Sequence, residues 1–143
     1  MKELTYSIKI HASKERIWTT LWSDKTFRDW SGLIDEGTYL VGEVVEGNIV
    51  QFISSVNGYG VTSLVKECIP FEYVKLLHEA DTKETGSLSR EKEWKGGAES
   101  YRSVTQGEDN YLIITSDVPD NLVDLFNQLL PNALNRIKVL AES

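Results

Sequence analysis

Few side chains in this sequence are suited to chemistry, and they fall on two strand-like stretches. Val74, Leu76 and His78 alternate with Lys75, Leu77 and Glu79. Lys75 and Glu79 favour water, which turns His78 inward beside Val74 and Leu76. An inward imidazole can bind a ligand or carry a proton; equally, it can be a core histidine hydrogen-bonded to a neighbouring strand. Glu99, Tyr101 and Ser103 alternate in the same way against Arg102. If that face is inward, Glu99 is a buried carboxylate that needs an Arg, His or Tyr partner. It then serves either as an acid or base, or as part of a structural network at a cavity rim.

The remaining candidates have blander readings. His11 stands at a strand-to-helix junction and reads as a turn residue. Cys68, the single cysteine, has no histidine near it in sequence and reads as a small buried or half-buried residue. Gly58-Tyr59-Gly60 lacks the third glycine and the helix of a phosphate loop, so it reads as turn chemistry. No HExxH, Cys–His zinc spacing, P-loop or Gly-x-Ser-x-Gly occurs. No catalytic residue, metal ligand or cofactor is therefore assigned.

The elements that must position these residues are legible in the periodicity. Leu4, Tyr6, Ile8 and Ile10 alternate as the inward face of a first strand. Ser13 is an N-cap ahead of a helical stripe of Ile17, Trp18, Leu21 and Trp22, and a second short helix or turn covers Thr26 to Trp30. A meander follows: Thr38 to Val45, a turn at Glu46-Gly47-Asn48, Ile49 to Ser55, Val61 to Cys68, a break at Pro70, and Glu72 to Glu79. Asp81 to Gly97 reads as a long polar loop holding Trp94, with Ser89-Arg90-Glu91-Lys92-Glu93 as a solvated stretch of balanced charge. Ala98 to Thr105 and Tyr111 to Asp117 make the last hairpin.

Val118 to Glu142 is a long amphipathic helix whose apolar face carries Leu122, Leu125, Phe126, Leu129, Ala133, Ile137 and Leu140. Pro131 should kink it or split off a lead-in helix. A helix of about 22 residues spans about 33 Å, enough to lie across a whole antiparallel sheet. The expected fold class is α+β: a curved antiparallel sheet of about six or seven strands wrapped around a long C-terminal helix, with one or two short helices after the first strand.

Composition narrows the functional classes. A chain of 143 residues is one domain, 1–143, large enough for a core without disulfides or metals. The net charge of −7 disfavours nucleic acid and anionic membrane surfaces. No apolar run has the length of a membrane span, and the opening residues show no apolar h-region. With the lone cysteine, this makes a cytoplasmic protein the expectation.

The element order resembles the helix-grip fold of the START and birch-pollen-allergen superfamily, also called SRPBCC. More closely, the chain resembles the branch named after the activator of the heat-shock protein 90 ATPase. The residues that carry the resemblance are Ile8-Lys9-Ile10-His11-Ala12-Ser13 with Ile17-Trp18, Trp30 after the helices, Val65-Lys66-Glu67-Cys68-Ile69-Pro70, Ala98-Glu99-Ser100-Tyr101, and Asn132-Ala133-Leu134-Asn135-Arg136-Ile137-Lys138. It covers essentially the whole chain and implies a pocket between sheet and helix, with no particular activity. The function it leads to is binding of a small hydrophobic or amphipathic molecule without defined catalysis. The rivals are a co-chaperone-like or stress-related module that binds a chaperone or other protein, and a cyclase- or hydratase-type enzyme using polar pocket residues. The expected lining is Trp30, Phe52, Leu76, His78, Trp94, Glu99, Tyr101, Phe126, Leu129, Ala133 and Ile137, with Trp30 and Trp94 as a gate.

Overall fold

Alternation drives the sheet, and burial follows it residue by residue. In β1 (Lys2–Ile10), Leu4 and Ile10 are buried and Tyr6 and Ile8 half-buried, while the residues between them face solvent. The structure, a computed structural model, describes residues 1–83 and 94–143. β1 is followed by α1 (Lys14–Trp22) and α2 (Asp24–Ser31), then β2 (Thr38–Val41), β3 (Ile49–Ser54), β4 (Tyr59–Ile69), β5 (Tyr73–Lys83), β6 (Ala98–Gln106) and β7 (Asp109–Val118). A single 3-10 turn (Asp120–Leu122) leads into α3 (Val123–Glu142). The seven strands form one antiparallel sheet in the order β1-β7-β6-β5-β4-β3-β2, curled into a half-barrel around α3. This is the helix-grip architecture.

Local chemistry fixes the helix ends. The Ser13 hydroxyl accepts from the Arg16 N–H at 3.0 Å and caps α1. Arg16 also reaches the far end of the chain, where its guanidinium donates to the carbonyls of Ala141 and Ser143, both at 3.2 Å. Those carbonyls have no partner inside α3, and a cation suits that end of the helix. The core joins Ile17, Leu21, Phe27 and Trp30 from the short helices to Val65, Leu76, Tyr101 and Ile114 from the sheet, and to Ala133, Leu134 and Ile137 from α3.

Four expectations are corrected. The stretch from Thr38 keeps strand geometry only to Val41, and β5 continues through Asp81 to Lys83 where a loop was expected. The strand extends because Asp81 and Thr82 pair with Val61 and Gly60 of β4. The charged tract at 89–93 lies outside the described residues. α3 runs unbroken past Pro131, and the lead-in segment separates earlier, at Leu122. Finally, the buried face of α3 is Leu130, Ala133, Leu134, Ile137 and Ala141, while Leu125 is 49% exposed. Intervals of three and four residues hold on this face too, but the stripe is rotated by about one residue from the expected one. Among the described residues, no helix is long and apolar enough to cross a membrane.

Candidate ligand-binding site

The inner face of the sheet carries a group of polar residues, among them Ser63, His78 and Glu99, amid apolar ones. His78 on β5 stands opposite Ser63 on β4, and both are buried. The Ser63 hydroxyl and His78 Nδ1 are 2.7 Å apart, a hydrogen bond that orients the ring. His78 Nε2, at the other end of the imidazole, is buried and has no hydrogen-bond partner among the described residues. Glu99 Oε1 lies 3.8 Å from it, too far for a hydrogen bond. The other carboxylate oxygen of Glu99, Oε2, accepts from the Tyr101 hydroxyl. Burial pushes the Tyr101 phenol well above its ordinary pKa, and the neighbouring Glu99 charge pushes it further.

A β-bulge re-aims the end of β5. Ser63 pairs with His78 but Thr62 pairs with Ala80, so Glu79 is the extra residue. Paired residues share a face, so Asp81, opposite Val61, comes inward three residues after His78. Asp81 is buried and accepts the Trp94 backbone N–H through both oxygens, at 3.1 and 3.2 Å. That bond, with Gly96 N donating to the His78 carbonyl at 2.9 Å and His78 N to the Gly97 carbonyl at 2.9 Å, holds the Trp94 segment against β5. The Trp94 ring lies edge-on to His78, with centroids 6.1 Å apart, and against Phe126 at 5.3 Å.

These groups surround a cavity of about 150 Å³. Its walls are largely aromatic and aliphatic: Phe27 and Trp30 from α2, Ile34 after it, Phe52 from β3, Tyr59 and Val61 from β4, Trp94, and Phe126 from α3. His78, Glu99 and Tyr101 supply its polar end, with Ser31, Asp35 and Thr38 nearby. Gly60 also borders it, because a Cβ there would come within 1.8 Å of the Phe52 carbonyl oxygen. Gly60 is therefore a strand residue admitting close backbone approach, and Gly58, at φ 75°, makes the turn.

Of the expected lining, the structure brings Trp30, Phe52, His78, Trp94, Glu99, Tyr101 and Phe126 together around this cavity. Leu76, Leu129, Ala133 and Ile137 do not border it. Leu76, Ala133 and Ile137 are fully buried members of the core, and Leu129 is half-buried on α3. Trp30 is not in a loop: it belongs to α2, is 2% exposed, and its indole N–H donates to the Leu21 carbonyl at 3.2 Å, so it is a fixed wall. The residues sequence reasoning missed, Phe27, Ile34, Tyr59 and Val61, come from α2, the segment following it and the start of β4. Phe27 carried a usable signal, three residues before Trp30 on one helix.

No protein-family model matches the chain, and no curated protein does. Solved structures do. The Aha1 dimer protein of Colwellia psychrerythraea aligns at 21% identity and TM-score 0.70, over 99% of this chain and 97% of that one. Protein CV1439 of Chromobacterium violaceum aligns at 14% identity and TM-score 0.71, over 100% and 99%. DynU16, a protein of the dynemicin biosynthetic locus, aligns at 10% identity and TM-score 0.71, over all of this chain and 48% of its own. These likenesses run the length of the chain and match its element order from β1 to α3: the protein has the helix-grip fold.

Proposed function

We propose that this protein belongs with the Aha1-like branch of the helix-grip proteins and binds a small, mainly apolar molecule in the cavity between sheet and helices. The observation that carries the reading is the unpartnered, buried His78 Nε2 at the edge of an aromatic-walled cavity of about 150 Å³. Apolar cavities with a few convergent polar groups are the usual form of small-molecule sites. A dry apolar cavity of that size holds about one benzene ring. The ligand is accordingly a small ring or short branched chain, not an extended fatty acid.

Toluene tests this by NMR titration, with the Trp30 and Trp94 indole N–H signals reporting on the cavity wall. Saturable shifts are expected in the parent, with a Kd of about 0.1–1 mM given so few ligand atoms. They should vanish in Val61→Trp, which fills the cavity from β4. Absence of any shift in the parent, with toluene and with its hydroxylated analogue p-cresol alike, refutes the reading.

A second reading, association with protein, has one observation in its favour: the Colwellia relative is described as a dimer. Light scattering on the purified chain tests it, and a monomer at high concentration counts against self-association.

A further inference from the structure

The cavity's polar end has a definite hydrogen-bonding grammar. Ser63 and His78 Nδ1 share one proton-mediated contact, so the Ser63 hydroxyl either donates to Nδ1 or accepts from it. In a neutral imidazole, the first arrangement puts the ring proton on Nε2 and the second leaves Nε2 a bare acceptor. The Glu99 carboxylate decides between them. Oε1 is 3.8 Å from Nε2, and a lone pair facing an anionic oxygen at that distance is repelled, whereas an N–H is attracted. Ser63 therefore donates, and Nε2–H, at the cavity edge, has no acceptor within hydrogen-bond reach among the described residues.

Glu99 is fixed for the complementary role. Its Oε2 is engaged by the Tyr101 hydroxyl, which leaves Oε1 as the available acceptor on the His78 side. A buried donor and a carboxylate acceptor thus stand 3.8 Å apart without bonding each other. An oxygen placed about 2.8 Å from both closes a triangle with an apex angle of about 85°. A hydroxyl fits that position, since one oxygen accepts from Nε2–H and its own proton goes to Oε1. A carboxylate would bring its charge against Glu99, and a carbonyl would leave Oε1 without a donor.

Resting on the reading of the cavity as a ligand site, we infer that its ligand class is a small hydroxyl-bearing ring, a phenol or cyclic alcohol, whose hydroxyl bridges His78 Nε2 and Glu99 Oε1 while the ring lies among Phe27, Phe52, Trp94 and Phe126. The aromatic walls select for the ring and the bridge selects for the neutral hydroxyl. A site built to hydrogen-bond a hydroxyl, with a buried donor and a half-buried acceptor, discriminates against molecules lacking the matching group.

Three probes built on one tolyl ring separate the possibilities: p-cresol, toluene and 4-methylbenzoate, titrated against the full chain and followed by the Trp30 and Trp94 indole signals. The expected order is p-cresol about tenfold tighter than toluene, from two added hydrogen bonds, with 4-methylbenzoate weakest. In His78→Phe the p-cresol advantage should fall to about threefold or less, while toluene binding persists. Glu99→Gln, which keeps the shape and alters the acceptor, gives the same comparison if the His78 variant does not fold. Toluene binding as well as p-cresol, or 4-methylbenzoate matching p-cresol, overturns the hydroxyl assignment and leaves the cavity reading standing. Failure of all three probes to bind the parent overturns both. An unchanged p-cresol advantage in folded His78→Phe or Glu99→Gln overturns the assigned bridge.

Discussion

The pair Ser63 and His78 allows a quantitative test of whether the cavity's polar end is held at the expense of stability. Ser63 is 0% and His78 3% exposed, and their hydrogen bond spans 2.7 Å. At this pair the parent protein already carries a buried ring nitrogen without a hydrogen-bond partner among the described residues, His78 Nε2. Ser63→Ala removes the only hydrogen bond to the imidazole among the described residues and leaves both ring nitrogens unpaired, which should cost about 1–3 kcal/mol. His78→Phe leaves the Ser63 hydroxyl unpaired, costing a similar amount, but it also removes the desolvated Nε2, so the two effects offset. The net change should be within about 1 kcal/mol, and the adjoining cavity gives the larger ring room. The double variant has no orphaned group and should be as stable as the parent or more so. The two substitutions are thus strongly non-additive, with a coupling of about 2 kcal/mol. Urea unfolding of the parent, both single variants and the double variant supplies the four free energies. Additivity within about 0.5 kcal/mol would refute the reasoning. So would a loss in His78→Phe above about 3 kcal/mol, because Nε2 would then have been satisfied after all.

Three further outcomes are expected. Gly60→Ala should destabilise by about 3 kcal/mol, since a Cβ at that position meets the Phe52 carbonyl and the β3–β4 pairing must shift; a thermal midpoint unchanged within a degree would contradict it. Tyr101, held above its ordinary pKa by burial and by Glu99, contributes stability that is intact below about pH 10 and lost as the pH rises beyond it; absorbance titration at alkaline pH should show its phenolate appearing only with unfolding, and Tyr101→Phe should remove that part of the alkaline loss. Asp29, which takes two hydrogen bonds from Arg136 at 2.7 and 2.9 Å and so ties α2 to α3, has its carboxyl held below the ordinary value of 3.8. Its contribution is present above that value and lost as the pH falls through the folded one, so Asp29→Asn should flatten the acid limb of a urea-midpoint profile; an identical acid limb in both proteins would rule this out.

What the sequence made legible, and what it did not, divides along a physical line. Period-2 alternation states which face a strand residue takes, and it placed His78, Glu99 and Tyr101 on the inner face. It does not state how far along the sheet a residue sits relative to the helix above. Leu76 shares the inner face with His78, yet Leu76 pairs with Glu99 and Val65 under the core, whereas the next inward residue reaches the cavity. The same applies to α3: periodicity gives a stripe, but which of two adjacent stripes is buried depends on the partner surface, and Leu130 and Leu134 were chosen by Leu4, Val118 and the short helices. The bulge at Glu79 is less legible still. Glu79-Ala80-Asp81 offers a charged residue, a small one and another charged one, which on local grounds is the start of a loop. Only pairing with β4 makes it a strand, and only the bulge turns the Asp81 carboxylate inward to hold Trp94.

That last contact joins the fold to the site. Without the extra residue, strict alternation from inward His78 would send Asp81 outward, and the Trp94 backbone would lose both of its carboxylate contacts. Trp94 would then be tied to β5 only through the backbone bonds of Gly96 and Gly97 with His78, and would lose the side-chain anchor at its own N–H that helps set its ring edge-on to His78 and against Phe126. The polar end of the cavity, with its Nε2, would lie under a wall positioned by apolar packing and the Gly96 and Gly97 backbone bonds alone. One inserted residue in β5 thus brings the Asp81 carboxylate, and through it the aromatic wall, to the imidazole that the regular β4–β5 pairing sets opposite Ser63.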